Sequence, residues 1–361
     1  MTASYGPLDE ALESISSAGP ELANGNTNHA PMVIEALCAM GRGDVVVKWL
    51  AGYRPQLILR SAARQRITDL NWRTALGRLD RFSDWEAFFD KQFRELSWAE
   101  VLDRWTMRLA PGFSAAATHG AIRVGHAVRA LTAAETPTRL HELASALGYW
   151  AATYQTLPSD LSVGQATATP LEAIRSVPVV PQHKRRFAGS ITSSLESLDE
   201  FRAFAPVIGL ADLSGDPAAV LSELAETFTR VYVANAHDAL STIVFIHGVT
   251  SIAATRSMIV HVGGEASSQL LRYAWQSACA LYAAFGARSR PAHEIEALEE
   301  SHETLIDAAI ATGDEHAIKF SEACAREDAI KGSPVYRVAV RHAVAVLGGG
   351  GEPGFPKASA A

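Results

Sequence analysis

Cysteine is scarce. The three residues, Cys38, Cys279 and Cys324, lie far apart and without CxxC spacing, which excludes a disulfide framework and a thiolate metal site. Each sits in an alanine- or leucine-bearing helical pattern and reads as a buried free thiol, suited to a reducing cytoplasm. Excess positive charge is also missing. A net charge of -7, a pI near 6.0 and the lack of an arginine-rich arm exclude nucleic acid as a partner. The run His183-Lys184-Arg185-Arg186 is too short to alter that and reads as a solvated loop. Residues 1–19 have neither a basic n-region nor an apolar h-region, so no signal peptide is read there. The richest apolar stretch, 236–259, contains His237, Asp238, His247 and Arg256, which make it a core helix and not a membrane span. The chain has no HExxH, no GxSxG, no Walker loop and no GxGxxG following a strand. Glu299-x-x-His302 occurs without the duplicate that a ferritin-like diiron site requires.

What is present is helix. Apolar residues make up 48% of 361 residues and charged residues 20%, enough for a large core. Helical periodicity covers 31–41, 115–132, 138–155, 194–204, 217–238 and onward, 267–285, 293–312, 314–327 and 334–347. Ser83-Asp-Trp-Glu86 and Ser97-Trp-Ala-Glu100 read as two serine-capped helix starts. Val45-Val46-Val47 is short and 177–181 is broken by proline, so both read as connectors or turns. The expected fold is all-α: a single large multi-helix domain over 1–347, assembled from two helical halves around a buried metal site. The proline-bearing stretch 157–189 is a candidate linker between the halves, and the glycine-rich 348–361 reads as a disordered tail.

Histidine placement is the informative feature. His29, His119, His126, His237, His247 and His316 each occur in or beside apolar, small-residue helical patterns that point the imidazole inward. One such histidine is ordinarily a hydrogen-bonded core residue. Burying many imidazoles without partners costs about 1–3 kcal/mol each, whereas one metal satisfies several together. Helix geometry narrows the choice. His119 and His126 share a face but stand about 10.5 Å apart along the axis, and His237 and His247 about 15 Å apart on a straight helix. His316 and Lys319 are neighbours at i and i+3. Lys319 has two readings. Either it is a surface lysine paired with Glu315 at i and i+4, or burial keeps its amine neutral, and addition of carbon dioxide makes a carbamate able to bind metal.

Together the Asn28-His29 pair, the His119-Gly-x-Ile-Arg-x-x-His126 block, the His247-x-Val-Thr250 block and the Asp314-Glu-His316-x-x-Lys319 block resemble the questin oxidase-like family over roughly residues 5–345. The resemblance implies an all-helical protein holding one non-heme Fe(II), with His29, His119, His247, His316 and a carboxylated Lys319 as ligands. Thr250 would support the carbamate, and His126 and His237 would orient ligands or substrate. It further implies oxidative ring cleavage or Baeyer–Villiger-like oxidation of an anthraquinone-type polyketide or related phenol, with dioxygen as co-substrate. NADPH has been described for family members, but no nucleotide fingerprint is visible, so a reductant would come from a diffusible or partner source. Two other classes stand beside this one. A metal-dependent hydrolase can also use a carbamylated lysine, and a non-catalytic helical binding protein would need no metal.

Overall fold

The computed structural model describes residues 2–162, 166–187, 189–287 and 297–349. Helix accounts for 67% and strand for 3%, so the fold is all-α. Two compact units divide the chain: Met1–Thr156 with Ala254–Leu270, and Leu157–Ala253 with Leu271–Ala361.

The first unit contains α1 (Leu8–Glu13), β1 (Ala18–Leu22), α2 (Ala30–Ala39), α3 (Val46–Tyr53), β2 (Leu57–Leu59), α4 (Phe82–Glu95), α5 (Trp98–Leu109), α6 (His119–Ala133) and α7 (Pro137–Ala152). α7 packs against α4 and α6, and α2 against α6. Trp85, Trp105 and Phe89, all fully buried, stack edge and face at the base of α4 and α5. α5 begins as its sequence predicts: the Ser97 hydroxyl takes the Glu100 N–H, and Glu100 reaches back to Ser97. α4 does not begin at Ser83. It starts at Phe82, because Asp84 turns to Arg81 and to the backbone N–H groups of Arg64 and Gln65, while Ser83 donates to the Ser61 carbonyl. Val46 and Val47 open α3 instead of forming a connector, since Val46, Trp49, Leu50 and Tyr53 place their side chains on one buried helical face. β1 and β2 form an antiparallel two-stranded sheet that periodicity does not reveal.

The second unit contains α8 (Pro170–Ala173), α9 (Ile191–Leu195), α10 (Pro217–Asn235), α11 (Ala239–Ile259), α12 (Gly264–Phe285), α13 (His302–Thr312), α14 (Glu315–Ile330) and α15 (Pro334–Leu347). The last six residues of α11 and the first seven of α12 fall in the first unit. The stretch 157–189 packs onto α12: the Val180 N–H donates to the Ala283 carbonyl and the Gln276 amide to the Pro158 carbonyl. The expected helix at 194–204 is instead α9 followed by 3-10 turns, with Pro206 inside the second of them. α11 is long and apolar enough to cross a membrane by composition alone, yet 89% of its apolar window is buried inside the protein, as in a core helix. The expected helix from 293 appears as α13, starting at His302; residues 288–296, and the tail from 350 onward, lie outside the described residues.

α10 and α11 are separate helices, where sequence suggested one. Asn235 ends α10 with its amide donating to the Val231 carbonyl, and Asp238 caps α11 by accepting the Ser241 N–H. His237 stands in the break and is exposed.

Candidate metal centre

In the first unit, α2 and α6 bring His29 and His119 together. His29 is the residue just before α2, His119 the first of α6, and the rings meet edge to face with centroids 4.7 Å apart. Both are buried. The Nδ1 of His29 donates to the Thr27 carbonyl at 2.7 Å, and the Nδ1 of His119 to the Ala116 carbonyl at 2.6 Å. A carbonyl oxygen only accepts, so both rings carry a proton on Nδ1, and a ring that is neutral holds its lone pair at Nε2. The two Nε2 atoms stand 2.9 Å apart. Thr27 also ties the site to α7, since its hydroxyl shares a 2.8 Å hydrogen bond with the buried Tyr149 phenol, which reaches Glu21 at 3.3 Å.

The packing of α6 against α7 and against Ala254 of α11 depends on glycine. A Cβ at Gly120 would lie 2.8 Å from the Cα of Trp150 on α7, and one at Gly125 would lie 2.6 Å from the Cβ of Ala254. Those contacts are shorter than any real methyl tolerates, which explains why the His-Gly-x-Ile-Arg-x-x-His block carries glycine at position 120.

In the second unit, α11 and α14 pair His247 with His316. Their ring centroids are 5.4 Å apart, and their ligand nitrogens lie within 4.8 Å. His247 repeats the pattern of the first pair, donating Nδ1–H to the Ile243 carbonyl one turn back at 2.7 Å. Burial and, after it, the nearby Lys319 charge push the His247 pKa down to about 3 against the raising effect of its hydrogen bond to the Ile243 carbonyl, so the ring is neutral. His316 is placed by Asp314, whose carboxylate caps α14 by accepting the N–H groups of His316 and Ala317. Lys319 is 1% exposed, so the surface-lysine reading does not hold. Burial lowers its ammonium pKa against the opposing charges of Glu315 and Asp314, and burial with the Asp314 charge raises that of Glu315. Thr250, also buried, sits one turn beyond His247 with its hydroxyl donating to the Ile246 carbonyl at 3.0 Å.

Two of the sequence-selected histidines stand elsewhere. His126 donates to Glu35, its Nδ1 2.7 Å from the carboxylate, and Glu35 also holds Arg129 and the Tyr5 hydroxyl. Between that cluster and the His29–His119 pair, Met32 of α2 and Ile122 of α6 form an apolar layer with Ala254. His126 is therefore a partner of Glu35, not a second ligand from α6. His237, exposed at the α10–α11 break, has its backbone N–H on the Ser241 hydroxyl. Sequence reasoning missed Glu35 and Thr27, which left no sequence signal, and named Asp314 only as part of a family block, without its capping role.

The sequence profile of the questin oxidase-like family matches residues 27–324. The chain belongs to the questin oxidase-like family. The matched span includes both histidine pairs, Thr250 and Lys319. Membership implies an oxidoreductase acting on a small molecule with oxygen. No curated protein matches the chain.

Proposed function

We propose that this questin oxidase-like protein is a non-heme iron oxygenase of aromatic polyketides or related phenols. In this reading His29, His119, His247 and His316 are nitrogen ligands and a carboxylated Lys319 is the oxygen ligand of one Fe(II). The observation that carries it is the approach of His29 and His119. Two neutral rings protonated at Nδ1 would point lone pairs at each other across 2.9 Å, which is repulsive unless a cation lies between or beside them. A proton there would place an imidazolium where burial opposes it. His29 and His119 would both hold the ion through Nε2, their 2.9 Å separation being close enough for one cation to satisfy both.

Iron, when bound, supplies redox chemistry with dioxygen that no side chain offers. The chain's own residues prepare its ligands. The carbonyls of Thr27, Ala116 and Ile243 hold three imidazoles in the tautomer that offers Nε2, as outer hydrogen bonds do at metal sites generally. Burial of Lys319 favours the neutral amine, which can add carbon dioxide at Nζ, forming an N–C bond and releasing one proton. The resulting carbamate is an anion that offsets the ion's charge and gives a hard oxygen donor. For Thr250 to support it, the hydroxyl would exchange its bond to the Ile246 carbonyl for one to the carbamate.

The test is metal analysis of protein purified anaerobically without a histidine tag, beside Lys319→Ala. About one iron per chain, absent from the variant, with oxygen uptake on phenolic anthraquinones, is expected. Zinc without oxygen uptake would point to a hydrolase. A chain with no metal would sink the reading.

A further inference from the structure

The backbone leading into His119 is unusual. Ala116, Ala117 and Thr118 have φ of 47°, 54° and 73°, and no other non-glycine residue among those described has a positive φ. Left-handed backbone is costly for any L-residue and most of all for a β-branched one such as Thr118. The same threonine carries a second cost. It is 1% exposed, and its Oγ1 has no hydrogen-bond partner among the described residues. A buried hydroxyl without a partner is destabilising and calls for an explanation. Trp105 and Thr106 also hold partnerless polar atoms, but they lie within regular α5. Among the described residues only Thr118 combines both costs, and it adjoins His119, whose Nδ1 is bonded to the first carbonyl of the same left-handed turn.

We propose that Thr118 is a ligand-contacting residue: its hydroxyl donates a hydrogen bond to a small anionic or oxygen-bearing ligand bound at the metal that His119 holds. The turn at 116–118 then has two tasks, fixing the His119 tautomer and carrying the Thr118 hydroxyl into the site's surroundings with its proton uncommitted. Strain and an unsatisfied hydroxyl concentrated in one residue are what a site preorganised for an incoming partner costs the resting protein. This inference rests on the metal reading above.

The probe is azide, titrated optically against iron-loaded protein, with Thr118→Val and Thr118→Ser beside the wild type. Valine keeps the shape and the β-branch, and therefore the backbone strain, and removes only the hydroxyl. The expected result is an azide Kd about tenfold weaker in Thr118→Val, the effect of one lost hydrogen bond. Thr118→Ser should stay within about threefold of wild type. In the metal-free state, Thr118→Val should melt at or above the wild-type temperature, because its hydroxyl satisfies nothing there; a structural hydroxyl would give a lower Tm instead. Equal azide affinity in wild type and Thr118→Val overturns this inference while leaving the metal reading in place. A wild-type protein that takes up no iron overturns both.

Discussion

Glu35 is 2% exposed and yet ionised, because three donors converge on it: His126, Arg129 and the Tyr5 hydroxyl. Burial alone would raise its pKa, but the Arg129 charge and the hydrogen bonds from His126 and Arg129 outweigh it and hold the carboxyl well below the usual range. Removing one partner from a buried ion pair costs about 3–5 kcal/mol, and Arg129, 16% exposed, puts Glu35→Gln at the lower end, about 3 kcal/mol. A group whose pKa is depressed on folding contributes stability above its unfolded value, and that contribution fades as pH falls towards the folded one. The melting temperatures of wild type and Glu35→Gln should therefore differ at pH 7, begin to converge as pH falls below about 4, and meet only towards the much lower folded-state value. A gap that does not narrow at all as pH falls from about 4 towards about 2 would show that the carboxylate's charge is not what matters. Lys319 teaches the matching lesson about legibility. Its neighbours Ala317, Ile318 and Phe320 announce a buried turn, but Glu315 four residues back announces an exposed pair, and sequence holds no term that weighs one against the other. The fold decides it by closing α14 over that face.

At the scale of elements, the long helices were readable because each repeats an apolar face several times; what one or two residues decide was not. Ser97 and Ser83 look alike as caps, and only the first is one, since the acid three residues after Ser83 is claimed by Arg60 and Ser145 from other elements. The break before α11 turns on Asp238 and Ser241, a local hydrogen bond that competes with a continuous apolar pattern. β1 was unreadable for another reason: Ala-Gly-Pro-Glu-Leu has no strand alternation and pairs with β2 some forty residues away. The α6 glycines give a prediction at this scale. Gly125→Ala gains up to about 1 kcal/mol of helix propensity but drives a methyl into Ala254, a clash worth about 1–3 kcal/mol. A net loss of stability should follow, read as a lower denaturant midpoint. Gly52→Ala in α3 meets nothing within 4 Å and should gain stability instead. The same sign for both would mean that the close approach at Gly125 is not a constraint.

For the whole molecule, helical periodicity repeated along the chain predicted an all-α fold, an average over many residues that a large core makes dependable. The grouping of histidines is of another kind. His29 and His119 lie 90 residues apart, and His247 and His316 nearly 70, so no window of sequence registers either pair; chain order across the family's blocks was the only sequence-level handle on them. If one iron is bound by ligands drawn from so many elements, it must stabilise the folded chain by mass action. At a free Fe(II) concentration a hundredfold above Kd the gain is about 2.7 kcal/mol. Anaerobic thermal scans should show a Tm that climbs with Fe(II) in the wild type and stays flat in His119→Ala. A wild-type Tm indifferent to Fe(II) would count against any folded-state iron site.

The left-handed turn at 116–118 bears on attempts to copy this centre. A designer who grafted His29 and His119 onto two ideal helices at the right spacing would reproduce the imidazoles and lose what directs them. Ideal backbones are built without positive-φ alanines and threonines, and so would offer no carbonyl where that of Ala116 meets the ring. Such rings would be free to swap tautomers and swing, and the copy would bind metal loosely and in several geometries. The irregular peptide, and not the ligand list, is the part of this blueprint hardest to transplant.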